Sequence, residues 1–292
     1  MILLVTGGTG FIGRNLVERF APDYQVLAPS RQELDLIDED AVQNFFERHE
    51  VDVVIHAAST PGHRNAKDPS NLLYKNSRMF FNIVRNAGRF GKLILLSSGA
   101  VYDMRHYVPK MNEEYFDIHV PADEPGFSKY VCAKYVERAN NIVELRPFGV
   151  FGKYEDYEIR FISNALCKTL FDLPITIKQN RKFDYVFVDD LAAVVDLFIA
   201  HDAKYKCSNV TSGAPIELEA LAKIVLEVSG KRLDIVTSMP GMGPEYTGDN
   251  SRLCSEFPTL KFTPIKHAVE QLYSWYSENW HLIRKEALLV DK

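Results

Sequence analysis

Cysteine is scarce: only Cys132, Cys167, Cys207 and Cys254 occur in 292 residues. None stands in a Cys-x-x-Cys spacing, so neither a zinc site nor a redox pair is expected, and a reduced, cytoplasmic setting follows. Long apolar runs are missing too, and no stretch approaches the roughly 20 residues that a membrane-spanning helix needs. The apolar N-terminus runs from Val5 straight into Thr6-Gly7-Gly8, with neither the basic start nor the cleavage site of a signal peptide. Positive charge is not in excess: 34 Lys and Arg against 39 Asp and Glu leave −5, which gives nucleic acid no basic face to bind. The eight histidines show no metal-ligand spacing, so no metal is expected. Repeats, low-complexity tracts and Gly/Ser linkers are absent. What is present, 46% hydrophobic and 25% charged residues, describes a globular chain of one large or two closely joined domains.

From residue 1 to about 152 short β-branched runs alternate with longer helical patterns. Strands are predicted at 2–5, 24–27, 51–55, 93–96 and 142–145, with helices at 10–20, 37–49, within 70–90 and at 127–140. This order implies an α/β fold, a doubly wound parallel sheet of Rossmann type whose ligands lie beyond the carboxyl ends of the strands. After Gly152 the texture changes. Residues 153–181 and 204–292 are richer in Pro, Gly and aromatics and read as a smaller substrate-binding lobe. Residues 182–203 are expected to rejoin the first domain.

Thr6-Gly7-Gly8-Thr9-Gly10-Phe11-Ile12-Gly13 follows the first strand directly. Gly7 suits a tight turn, Gly10 a close backbone approach to a pyrophosphate, and Gly13 the packing of the next helix on the strand. Placed between a strand and an amphipathic helix, the motif points to a dinucleotide. The second strand ends in Ala28-Pro29-Ser30-Arg31, with no acid before Glu33. An acid there would hold a 2′-hydroxyl, so Ser30 and Arg31 favour NADP(H) over NAD(H). Tyr130-Val131-Cys132-Ala133-Lys134 puts a phenol and an ammonium on one helix face at i, i+4. An ammonium there stabilises phenolate, as an acid/base for an alcohol–ketone pair requires. Upstream, Ser97 and Ser98 end a strand at the ligand edge, where a hydroxyl can bond the reacting oxygen.

Thr6 to Gly13, His56-Ala57-Ala58-Ser59, Ser97-Ser98-Gly99-Ala100-Val101-Tyr102, the Tyr130 to Lys134 segment, Arg146 to Gly152 and Phe187 to Ala192 stand in one order along nearly the whole chain. In these the sequence resembles the extended short-chain dehydrogenase/reductases, the NAD-dependent epimerase/dehydratase family. The resemblance implies that Ser98 is the catalytic hydroxyl and Tyr130 the acid/base. It gives Lys134 the task of lowering the tyrosine pKa and holding the nicotinamide ribose. It also implies adenine contacts at Asp35 and Leu36, cofactor contacts at Ala57, Ala58, Ser59 and Asn76, and a nicotinamide neighbourhood at Pro147, Gly149 and Val150. Family members often pair through two helices, so a homodimer is expected.

Departures narrow the chemistry. The family's dehydratases carry an acidic pair after the catalytic hydroxyl, where this chain has Gly99 and Ala100. Its fucose-synthase-like epimerase/reductases use a cysteine two positions past the serine, which here is Ala100. Hydride chemistry remains: reduction of a 4-keto sugar, expected to be nucleotide-linked, or a C4 epimerisation that borrows and returns a hydride with tightly bound NAD. A non-catalytic cofactor sensor would have no need of Ser98, Tyr130 and Lys134. Phe183 stands where relatives have a diphosphate-binding arginine, which leaves Arg181 or Lys182 to reach the phosphates, or a substrate without a diphosphate.

Overall fold

In the first strand Leu3 and Val5 point to one side and Leu4 to the other, and each joins a different apolar core. Val53 and Ile55 against Val54, and Ile94 against Leu93 and Leu95, divide in the same way. Period-2 alternation of wholly apolar runs demands a sheet covered on both faces, and burial of each such side chain contributes about 1.5–3 kcal/mol. The computed structural model describes residues 1–63 and 65–290. In it β1 (Ile2–Thr6), α1 (Phe11–Phe20), β2 (Gln25–Leu27), α2 (Glu39–Arg48), β3 (Val53–His56), α3 (Leu72–Val84), β4 (Lys92–Leu96), α4 (Glu124–Val136) and β5 (Ile142–Pro147) follow in turn. There follow β6 (Gly149–Phe151), α5 (Phe161–Leu170), β7 (Ile175–Asn180), β8 (Lys182–Phe183), β9 (Tyr185–Phe187), α6 (Val188–Ala200) and β10 (Cys207–Val210). The chain closes with β11 (Ile216–Glu217), α7 (Leu218–Ser229), β12 (Ile235–Met242), α8 (Ser251–Glu256), α9 (Ile265–Glu278) and α10 (Lys285–Leu288).

The central sheet has six parallel strands in the order β10-β5-β4-β3-β1-β2. Leu16 and Phe20 of α1 and Leu191 and Phe198 of α6 cover one face, and Val42, Phe80, Ile83 and Val136 of α2, α3 and α4 the other. Strand order reverses at β1, which opens the crevice where such sheets bind ligands. A third core, formed by α5, α7, α9, β7 and β9, makes the smaller lobe.

Two details differ from the expectation. The last strand of the sheet is β10, inside the stretch assigned to the smaller lobe, whereas β9 pairs with β6 outside the sheet. From the 182–203 segment α6 packs on the main sheet, joined by Val186 of β9. Cys207-Ser208-Asn209-Val210 is short and polar; it is buried because Asn209 finds partners for both ends of its amide. The Pro240-Gly241 stretch, which reads as a turn, is the irregular end of β12, whose register against β7 shifts between Met239 and Met242.

Candidate active site

The glycine loop owes its shape to two contacts. Gly7 has φ +72°, and a side chain on Gly13 would lie 2.1 Å from the Gly7 carbonyl oxygen, so α1 can start this close to β1 only without one. The first turn of α1 holds no acidic residue, which leaves its positive end open toward the cleft. By contrast α6 has Asp189 and Asp190 in its first turn, and Asp190 is tied to the Thr263 hydroxyl at 2.7 Å.

A cleft of about 450 Å³ runs along the carboxyl edge of β1, β2 and β3. Gly7 and Gly10 line it on one side, Arg31, Asp35 and Leu36 on another, and Ala57, Ala58 and Ser59 form its floor. Arg31 reaches Asp35 at 3.5 Å and is otherwise open to solvent, while the Ser30 amide is taken by Glu33. Asn76 does not line the cleft; its amide oxygen accepts from the Thr60 amide at 2.7 Å and pins the floor from behind. Thr60, Pro61, His63 and Asn65 to Asp68 also line the cleft, and Asn65 reaches Asp156 and Glu158 of the smaller lobe at 3.1 Å each. A glycine cradle, an unpaired helix start and an open cleft suit a dinucleotide.

Farther along the edge Ser98 caps the short turn 99–101, its hydroxyl oxygen accepting from the Ala100 amide at 3.1 Å. Ser97 is buried and its hydroxyl has no partner. Tyr107 donates to the Gly99 carbonyl at 3.1 Å and stacks on Tyr246, and Phe148 adjoins both. This aromatic wall continues through Phe183 to Tyr185, so Phe183 serves as a packing ring. Burial holds the Tyr107, Tyr246 and Tyr185 phenols well above the usual tyrosine range. The Arg181 charge acts on Tyr185, and so does that of Arg160.

The floor beneath this wall is a buried ionic network. Arg146 is 1% exposed, pairs with Glu144 at 2.7 Å and donates to the Tyr102 hydroxyl at 3.0 Å. Tyr102 in turn donates to Asn209 at 2.8 Å. A guanidinium this deep is tolerable only when paired. Pro147 continues β5 in the same buried row, and Gly149 and Val150 pair with Tyr185 and Val186. Phe11 and Ile12 lie at the start of α1, partly buried against the lobe core and the sheet core respectively.

On α4 Tyr130 and Lys134 share one partner, Asp117. The Tyr130 hydroxyl donates to Asp117, and Lys134 reaches Asp117 at 3.0 Å and Glu137 at 2.6 Å. The hydrogen bond to Asp117 raises the Tyr130 pKa and outweighs the lowering by Lys134. Lys129 turns inward, where burial pushes its pKa down and Cys132 and Glu144 oppose that. Its charge also touches His56, which burial holds down to about 4 and which bonds the Thr6 hydroxyl at 2.8 Å. Lys129 went unnoticed in the sequence reading, although Cys132, Ala133 and Val136 at i+3, i+4 and i+7 mark its face as the buried one. Among the described residues no cluster of His, Cys, Asp and Glu could hold a metal, and no helix is long and apolar enough to cross a membrane.

The sheet order, the glycine cradle and the cleft at the strand ends define a dinucleotide-binding enzyme fold. The chain belongs to the NAD dependent epimerase/dehydratase family, whose model matches residues 3–210. A GDP-L-fucose synthase of Sinorhizobium fredii is 26% identical over 86% of this chain and 88% of its own length. A UDP-glucose 4-epimerase from Thermotoga maritima superimposes with a TM-score of 0.81 at 19% identity, covering 96% of this chain and 100% of that one. A GDP-mannoheptose C4 reductase from Campylobacter jejuni, solved with NADP bound, gives 0.79 at 21% identity over 94% and 98%. These structural likenesses establish the fold.

Proposed function

We propose that the chain is an NADP(H)-dependent reductase acting on the 4-keto group of a nucleotide-linked sugar. The observation that carries this reading is the adenosine end of the cleft, where Arg31 stands at the place an NAD-specific site gives to a carboxylate. A guanidinium there suits a phosphate on the ribose, and its reach of 3.5 Å to Asp35 is loose enough to exchange. The GDP-L-fucose synthase and the NADP-bound C4 reductase among its likenesses point the same way.

Reduced cofactor, when bound, supplies the hydride. The Ser98 hydroxyl donates a hydrogen bond to the carbonyl oxygen, and Tyr130 gives that oxygen its proton. Lys129, inward on α4, holds the cofactor's second ribose, the contact that the resemblance implies for Lys134. Arg181 meets the phosphates of the nucleotide. Gly99 and Ala100 offer neither an acid nor a thiol, so the reaction stops at reduction. One feature favours a second reading, a C4 epimerase with NAD: Asp35 lines the same cleft and has a carboxylate to offer a ribose.

Oxidation of NADPH in the presence of a GDP-linked 4-keto hexose tests the proposal. Tyr130→Phe should lower turnover by about 10²–10⁴-fold and leave NADPH affinity within about twofold. A variant that keeps the wild-type rate removes Tyr130 from the mechanism.

A further inference from the structure

Among the described residues the cleft is lined by Arg31, just past β2, and by two lysines beyond β3, Lys67 and Lys75. Lys75 lies in the first turn of α3, the helix that follows β3, so it stands at the carboxyl edge of the sheet, where ligands bind. Met79, one turn on, shares its face of α3 and also lines the cleft. Farther along the helix the Asn82 amide donates to the carbonyls of Leu36 and Ile37 at 2.9 and 3.0 Å, which holds α3 against the adenosine end. Arg78 of the same helix is taken up by Glu39 at 2.9 Å and does not line the cleft.

The Lys75 side chain is 17% exposed against 73% for Arg31, so Lys75 is the cation set into the wall. Asp68 is its one partner among the described residues and takes one of its three N–H donors. Two donors remain for an anion, and an ammonium with little water around it favours one. Asp68 is ionised at neutral pH, because Lys75 and Ser70 hold its pKa well below the usual carboxylate range. It is itself largely exposed, and its other oxygen accepts from the Ser70 amide at 3.0 Å. Water screens a carboxylate so placed, whereas a phosphate brings up to two charges and three acceptor oxygens. Arg31 repeats the pattern, with Asp35 at 3.5 Å.

We propose that Lys75 reads the 2′-phosphate of the dinucleotide together with Arg31, and that Asp68 is the counter-ion that holds its ammonium at the cleft until the phosphate arrives. The inference rests on the reading of the chain as NADP(H)-dependent. NADH brings no anion to the adenosine ribose, so it leaves both ion pairs as they are. Asp68 and NADPH then compete for one ammonium, which gives removal of the lysine and removal of the carboxylate opposite effects.

Titration of Lys75→Gln with NADPH and with NADH, followed by cofactor fluorescence, tests this, with a melting curve of the unliganded variant as the check on folding. NADPH should bind about fivefold more weakly than to the wild type, and NADH within about twofold. Lys75→Arg should keep most of the NADPH affinity. Asp68→Asn should tighten NADPH about two- to threefold and leave NADH unchanged. If Lys75→Gln shows no melting transition, Asp68→Asn decides: NADPH bound no tighter than by the wild type overturns the inference. An unchanged NADPH affinity in a folded Lys75→Gln overturns it as well. So does an equal loss for both cofactors, which would put the ammonium on the pyrophosphate that they share. A wild type that binds NADH as tightly as NADPH contradicts the NADP(H) reading itself, and the role of Lys75 falls with it.

Discussion

Glu155 is buried beside Ser163, whose hydroxyl donates to it at 2.6 Å, and burial raises its pKa to about 8. Its folded state therefore binds a proton that the unfolded chain gives up at its ordinary value of 4.5. Stability from this group is fully present below pH 4.5 and is lost as pH rises to about 8, a change of up to about 5 kcal/mol. Glu155→Gln keeps an acceptor for Ser163 and has no charge to bury. Melting curves at pH 6 and pH 8 should show the wild type losing stability between the two, with the variant losing much less. An equal loss in both would place the alkaline sensitivity elsewhere. Arg146 and Glu144 solve the same burial problem by pairing, and His56 by staying neutral. None of these states could be read from residue type alone. The i, i+4 spacing of Tyr130 and Lys134 does place them together, but it does not say which way their face turns, nor that Asp117 comes between.

For whole elements the sequence was more informative where apolar side chains alternate or recur, as in β1, β3, β4 and the buried faces of α2 and α3. It was least informative at β10, where Asn209 is buried through hydrogen bonds that come from distant residues and the Ser208 hydroxyl is buried without a partner. At α1 the element and the candidate site coincide. Gly13→Ala would gain about 1 kcal/mol in an unconstrained helix. Here the added carbon would lie 2.1 Å from the Gly7 oxygen, so the sign should reverse to a loss of about 1–3 kcal/mol as the helix start moves away. Thermal melting together with NADPH titration checks this. A more stable variant that still binds NADPH would mean that the close packing of α1 on the glycine loop is not what shapes the site.

At the scale of the molecule, the reversal of strand order at β1 locates the crevice, and Asn65 and the aromatic wall from Tyr107 to Tyr185 connect the sheet edge to the smaller lobe. The crevice was legible because the glycine motif follows a strand and precedes a helix. The wall was not, since its rings come from segments far apart in sequence. On the proposed reading this crevice takes a phosphorylated dinucleotide that dissociates after each turnover. Titration of the purified protein with NADPH and with NADH, followed by cofactor fluorescence and by extraction of any nucleotide carried through purification, tests it most directly. The prediction is an empty site, NADPH bound at least about tenfold tighter than NADH, and most of that preference lost in Arg31→Ala. NAD retained through purification, or a preference that survives Arg31→Ala, would contradict it and put the NAD-dependent epimerase first.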